Sequence, residues 1–303
     1  MDHSLRILHF SDIHIGIEIR HMLWKKWFSK RAIGAINLLR GRAKYFDEAE
    51  QKLQALIRFK DEHEIDLVIH TGDYTALGLE SELKLSKTMV EPLMKNPERY
   101  ITVPGNHDIY VSESKSHQRF SQQFAEVLYS DMPEYCSDGC WPLVRLLGTD
   151  AAIIALNSAR PNPMPWRSNG HISHTQLETL EQLLQDQHLK NRFIFIATHY
   201  APRLANGEND TPLHGLINAD DFLRVCKKVN AGAILCGHVH QTYRTDTQGF
   251  QGSIFCAGSA TMDGHEGFWV YELRGKKMQA MRVYWDNLSY RFVSDNRADN
   301  DCR

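Results

Sequence analysis

Residues 100–108 read Y-I-T-V-P-G-N-H-D. A short run of apolar, β-branched residues stops at Pro104 and Gly105 and hands over Asn106, His107 and Asp108. Such a run, bounded by proline and glycine, predicts a buried strand. The same design recurs four times. F-S-D-I-H-I-G places Asp12 and His14 after the run 6–10, and I-H-T-G-D-Y places Gly72 and Asp73 after 65–70. I-A-T-H-Y places His199 after 193–197, and C-G-H-V-H places Gly237, His238 and His240 after 233–236. Further runs lie at 152–156, 253–257, 268–272 and 281–285, with helical periodicity over 46–63, 79–94, 117–129, 175–187 and 219–229. This alternation predicts an α/β fold, and the strand-rich final third predicts mixed sheets.

Ligands of α/β sheets collect at the carboxyl ends of strands, where the loops converge. All five polar groups would be delivered to such an edge. A single D-x-H or G-D is commonplace, and a single histidine at a strand end ordinarily packs; five pieces together carry the reading. They offer Asp12, Asp73, the Asn106 carbonyl, His14, His199, His238 and His240 as donors, with His107 beside them. Mixed oxygen and imidazole ligands suit Mn, best of all here, or Fe or Zn, over Mg or Ca. Seven donors exceed the need of one ion. Two divalent ions sharing one aspartate make a site for in-line displacement at phosphorus.

The order D-x-H, G-D, G-N-H-D, H, G-H-x-H, over about residues 6–275, resembles the calcineurin-like metallophosphoesterase superfamily. The resemblance implies a four-layer αββα sandwich, two mixed β-sheets flanked by helices, with a dinuclear site at one edge. It implies Asp12, His14, Asp73 and His240 as ligands of the first metal. Asp73 would bridge to a second held by Asn106, His199 and His238. His107 matches the histidine that touches phosphate and protonates the leaving oxygen, and Asp108 is expected to orient it. Arg160 in N-S-A-R-P, Arg203 in H-Y-A-P-R and His214 in L-H-G are further candidates for substrate contact.

The remaining composition narrows the class. The 303 residues carry 35 Lys+Arg against 37 Asp+Glu, a formal charge of −2, which disfavours nucleic acid as partner. No apolar run approaches the roughly 20 residues of a membrane span, and residues 1–10 do not read as a leader. Six cysteines without a C-x-x-C pair predict a reduced, cytoplasmic chain. One domain is expected over 1–293, with a polar tail at 294–303.

The stretch 19–46 stands apart. It holds no acidic residue but carries Arg20, Lys25, Lys26, Lys30, Arg31, Arg40, Arg42 and Lys44. On a helical projection Trp24, Trp27, Phe28, Ala35, Leu38 and Leu39 share a stripe, with Lys26, Lys30 and Arg40 opposite. That is the pattern of an interfacial helix at an anionic membrane, or of a helix docked on the domain with a solvated basic face. The superfamily's motifs fix the reaction and leave the substrate open. The basic, Trp-rich insertion at 19–45 favours a phosphodiester or pyrophosphate in a lipid-linked nucleotide, as in members that hydrolyse UDP-2,3-diacylglucosamine. A soluble cyclic-nucleotide phosphodiesterase is the alternative, followed by a nuclease and a non-catalytic scaffold.

Overall fold

The apolar runs pair into two six-stranded sheets in the computed structural model, which describes residues 4–16, 48–109, 116–162, 164 and 166–295. The first sheet has the order β12-β11-β10-β1-β2-β3, from β1 (Leu5–Phe10), β2 (Leu67–His70), β3 (Tyr100–Thr102), β10 (Gly267–Arg274), β11 (Lys277–Asp286) and β12 (Arg291–Asp295). β1, β2 and β3 run parallel, and β10 closes on β1 antiparallel. The second sheet has the order β4-β5-β6-β7-β9-β8, from β4 (Leu143–Leu147), β5 (Ala151–Ala155), β6 (Phe193–Ala197), β7 (Gly232–Cys236), β8 (Thr242–Asp246) and β9 (Gly252–Ala257). β5, β6, β7 and β9 are parallel, with β4 and β8 antiparallel at the edges. Both sheets are mixed, as the strand-rich final third predicts.

Side-chain alternation builds the layers. In the second sheet Ile153, Phe195, Leu235 and Phe255 belong to the core shared with the first sheet. Their neighbours Ile154, Ile196, Ile234 and Ile254 belong to a separate outer core with α4 (His174–Leu183) and α5 (Ala219–Cys226). A period of two is what a strand buried on both faces requires. Tyr271 of β10 meets Phe195 and Phe255 across the interface, at ring distances of 5.9 and 5.2 Å. On the far face of the first sheet, Phe268 packs edge-on against Phe59 of α1 (Ala49–Glu62) at 5.2 Å. Helix, sheet, sheet and helix thus stack as the four-layer sandwich.

Helix bounds follow local chemistry. Buried Glu82 takes the backbone N–H groups of Leu77 and Leu79 at 2.9 and 3.0 Å, capping the start of α2 (Glu80–Val90). Pro92 then turns the chain into a short 3₁₀ segment, Glu91–Leu93, so the helix ends before the expected residue 94. α3 (Ser116–Gln123) is shorter than the predicted 117–129. β12 runs through Ser294 and Asp295, paired with Val283 and Arg282, so the strand reaches two residues into the expected tail. The basic stretch 19–46 and Cys302 lie outside the described residues. Cys136, Cys140, Cys226, Cys236 and Cys256 are free thiols.

Candidate functional site

The parallel strands of the two sheets end at one edge, and their loops carry the motif residues. The first sheet supplies Asp12 and His14 after β1, Asp73 after β2, and Asn106 and His107 after β3. The second supplies His199 after β6, and His238 and His240 after β7. Asp12, His14, Asp73 and His240 form one donor group, and Asp73, His199 and His238 another; within each, one donor atom per residue lies within 4.8 Å of the rest. Asp73 is common to both. His14 Nε2 stands 3.7 Å from Asp73 Oδ2, and His199 Nε2 3.6 Å from the same oxygen. Asp12 Oδ1 is 3.1 Å from His240 Nε2.

The loops are held in costly conformations. Asp12, His14, Asp73, His238 and His240 have φ of 55°, 44°, 62°, 71° and 54°, the left-handed region that side chains rarely adopt. Backbone strain of this kind persists only where its surroundings over-determine it. Here they do. Asp12 N and His14 N donate to Gly72 O and Asp73 O, while Ser259 Oγ and Thr261 Oγ1 donate to the carbonyls of Asp12 and Ile13. Two glycines permit close approach. A Cβ on Gly105 would lie 2.1 Å from Asp73 Oδ1, and one on Gly237 would lie 2.5 Å from Asp12 Oδ2.

The chemistry of the donor set fits bound cations. His14 Nδ1 and His199 Nδ1 donate to the carbonyls of Thr75 (3.2 Å) and Thr71 (2.7 Å), an assignment made from those partners. Their Nε2 atoms therefore present lone pairs. His238 Nε2 donates to His214 O at 3.1 Å, leaving a lone pair on Nδ1. That Nδ1 stands 2.8 Å from Asn106 Oδ1, and His199 Nε2 stands 3.0 Å from the same oxygen. Acceptors brought this close to one another suit a cation between them. Burial lowers the pKa of His199 and His238, so both offer neutral imidazoles. Burial opposes ionisation of Asp12, yet His240, 3.1 Å away, holds its carboxyl well below the usual range.

His107 lies beside the first group, its ring edge-on to His14 at 4.8 Å. Its Nδ1 donates to Ala76 O at 2.6 Å. Asp108 does not take the expected place behind it. The Asp108 carboxylate accepts from the N–H groups of Asp73, Tyr74, Thr75 and Gly105 at 2.9–3.1 Å, and from Thr75 Oγ1. It braces the loop that carries Asp73, and Ala76 O orients the imidazole. Arg203 is also drawn elsewhere, to Asp220 and Asn209. Arg160 donates to Asn169 Oδ1 at 2.6 Å and lines a neighbouring cavity. His214 stacks on His238 at 4.1 Å with its Nδ1 on Asp210 Oδ2. Asp210, His214 and His238 form a third cluster of potential ligands. Asp210 belongs to none of the sequence motifs, and its only sequence signal is the i,i+4 spacing to His214. The carbonyls of Thr71, Thr75 and Ala76 left no sequence signal.

A family model described as calcineurin-like phosphoesterase matches residues 5–242. No curated protein sequence matches the chain. Among solved structures, a dimetal phosphatase from Danio rerio is 13% identical with a TM-score of 0.66, over 96% of this chain and 98% of that one. A purple acid phosphatase from yellow lupin (Lupinus luteus) seeds is 14% identical with a TM-score of 0.57; the match covers 98% of this chain and 55% of the lupin chain. At these identities the likeness is one of fold. The motif order, the paired donor groups and a family match across most of the length lead to one conclusion: the chain belongs to the calcineurin-like phosphoesterase family of metal-dependent phosphoester hydrolases.

Proposed function

We propose that the chain hydrolyses a phosphodiester or pyrophosphate bond at the paired donor groups. The observation that carries this is the sharing of Asp73 by two clusters of inward-facing lone pairs. Asp12, His14, Asp73 and His240 would hold one ion, and Asp73, Asn106, His199 and His238 the other, manganese suiting the mixed donors best. Bound there, two divalent cations supply Lewis acidity toward phosphoryl oxygens and lower the pKa of water from 15.7 toward about 7. The protein's part is placement. Asp108 and the strained loops hold the carboxylates, and the carbonyls of Thr71 and Thr75 fix the imidazole tautomers. His107, with Nδ1–H tied to Ala76 O, has Nε2 to give a proton to the leaving oxygen. In His107→Ala, turnover of diesters with poor leaving groups should fall about 10²–10⁴-fold. The loss should shrink for p-nitrophenolate, which needs little protonation. Equal losses across leaving groups would remove His107 as the acid.

The substrate we propose is amphiphilic, a lipid-linked nucleotide met at an anionic membrane surface. The basic, Trp-rich stretch 19–46 supports this. So do Trp166 (68% exposed), Leu213 and Ile217, apolar side chains at the surface of loops flanking His214. These loops are tied by Ser168 N to Leu213 O and by Ile217 N to Gly170 O. No helix among the described residues is long and apolar enough to cross a membrane. The protein should sediment with anionic vesicles at low salt and be released as salt rises. Trp24→Ala with Trp27→Ala should weaken this and lower activity on acylated substrates. A cyclic-nucleotide phosphodiesterase would instead ignore vesicles and cleave small diesters alone.

A further inference from the structure

Outside the donor groups lies a cavity of about 460 Å³, within the roughly 300–1,000 Å³ typical of small-ligand sites. Pro104 and Ile109, which flank the Asn106–His107–Asp108 loop, line it, as do Trp141, Arg160 and His171. Arg160 is the member that asks for a ligand. Its Nη2 donates to the neutral amide oxygen Asn169 Oδ1, while its Nε is shut off from solvent and has no partner. With Nε enclosed, a ligand in the cavity would meet the guanidinium through its remaining N–H groups, which match the oxygens of an oxyanion. Asn169 donates in turn to Pro212 O at 2.6 Å, in the loop that carries His214. The arginine is therefore built into the same wall as the donor loops. Burial and the Arg160 charge lower the pKa of His171, which leaves Arg160 to supply the positive charge. Asp138 also lines the cavity, but its Oδ2 is taken by Ser173 Oγ (2.8 Å) and Gln176 Nε2 (3.0 Å).

We propose that this cavity receives the part of the substrate lying beyond the scissile phosphoryl group, and that Arg160 binds an oxyanion there. The substrates are then phosphoesters carrying a second carboxylate or phosphoryl group. The proposal rests on the phosphoesterase reading above, and the test separates the two.

The probes are ω-carboxyalkyl and ω-phosphonoalkyl phosphates of graded length, each against the uncharged alkyl phosphate of equal length. Binding to the manganese-loaded protein is followed by titration calorimetry, alongside turnover of bis-p-nitrophenyl phosphate. The wild type should bind an anionic ester of suitable length roughly ten- to hundredfold tighter than its uncharged match. The better of the two anionic series identifies the second group. In Arg160→Met that ratio should fall toward one. Ser121→Glu, on an exposed position of α3 that lines the cavity, should depress the ratio by placing a negative charge there, and it carries the test if Arg160→Met does not fold. Equal affinities in the wild type, or a preference that survives the substitutions, overturns the proposal. A preference without any turnover leaves the cavity standing and removes the phosphoesterase reading. Turnover without a preference does the reverse.

Discussion

Asp73 is the residue on which both donor groups depend, and its position explains why. Its φ of 62° turns the carboxylate back over the sheet edge, Gly105 leaves the space for it, and His107 N donates to its Oδ1 at 2.7 Å. Asp73→Asn keeps the shape and removes the charge, so affinity for both ions should fall together, with turnover lower by about a hundredfold or more. Equilibrium dialysis should then find fewer than two ions per chain. Two retained ions with undiminished turnover would remove Asp73 from the bridging role. At this scale the sequence was informative about side-chain donors, because aspartate, asparagine and histidine after apolar runs are legible as types. It was blind to backbone partners. Asp108 shows the limit: a carboxylate next to a histidine in the chain reads as its partner, but the turn aims it at four N–H groups instead.

At the scale of elements, the buried parallel strands were readable because both faces are apolar. The strands that escaped are edges. β8, T-Y-R-T-D, and β12, R-F-V-S-D, are half polar and become strands only by pairing with β9 and β11. β4 is interrupted by Arg145, which is nevertheless buried, donating to Val127 O at 2.7 Å with its guanidinium over the Tyr129 ring. An arginine in an apolar run hides a strand from periodicity alone. Buried Lys52 gives an element-scale prediction. From α1 it reaches Glu266 at 2.6 Å, Asp263 and Thr261 O, joining the helix to the loop that also backs Asp12 and Ile13. Lys52→Met strands the buried Glu266 carboxylate and should cost about 3–5 kcal/mol in denaturant unfolding. A loss below about 1 kcal/mol would make the cluster an ordinary surface ion pair.

At the scale of the molecule, the site belongs to neither sheet. β1, β2 and β3 bring Asp12, His14, Asp73 and Asn106, and β6 and β7 bring His199, His238 and His240. Only packing of the two sheets through the Phe195, Phe255 and Tyr271 layer closes the donor groups. Metal binding and folding are therefore linked, and ions at a thousandfold over their Kd should stabilise the fold by about 4 kcal/mol for each independent site. The most direct measurement is a manganese titration of the metal-stripped, full-length protein. Bound metal, thermal unfolding and turnover of bis-p-nitrophenyl phosphate are followed on the same samples. The paired site predicts two equivalents bound, a rising Tm, and turnover that appears with the second. Saturation at one equivalent with full turnover, or full turnover in excess chelator, would contradict it.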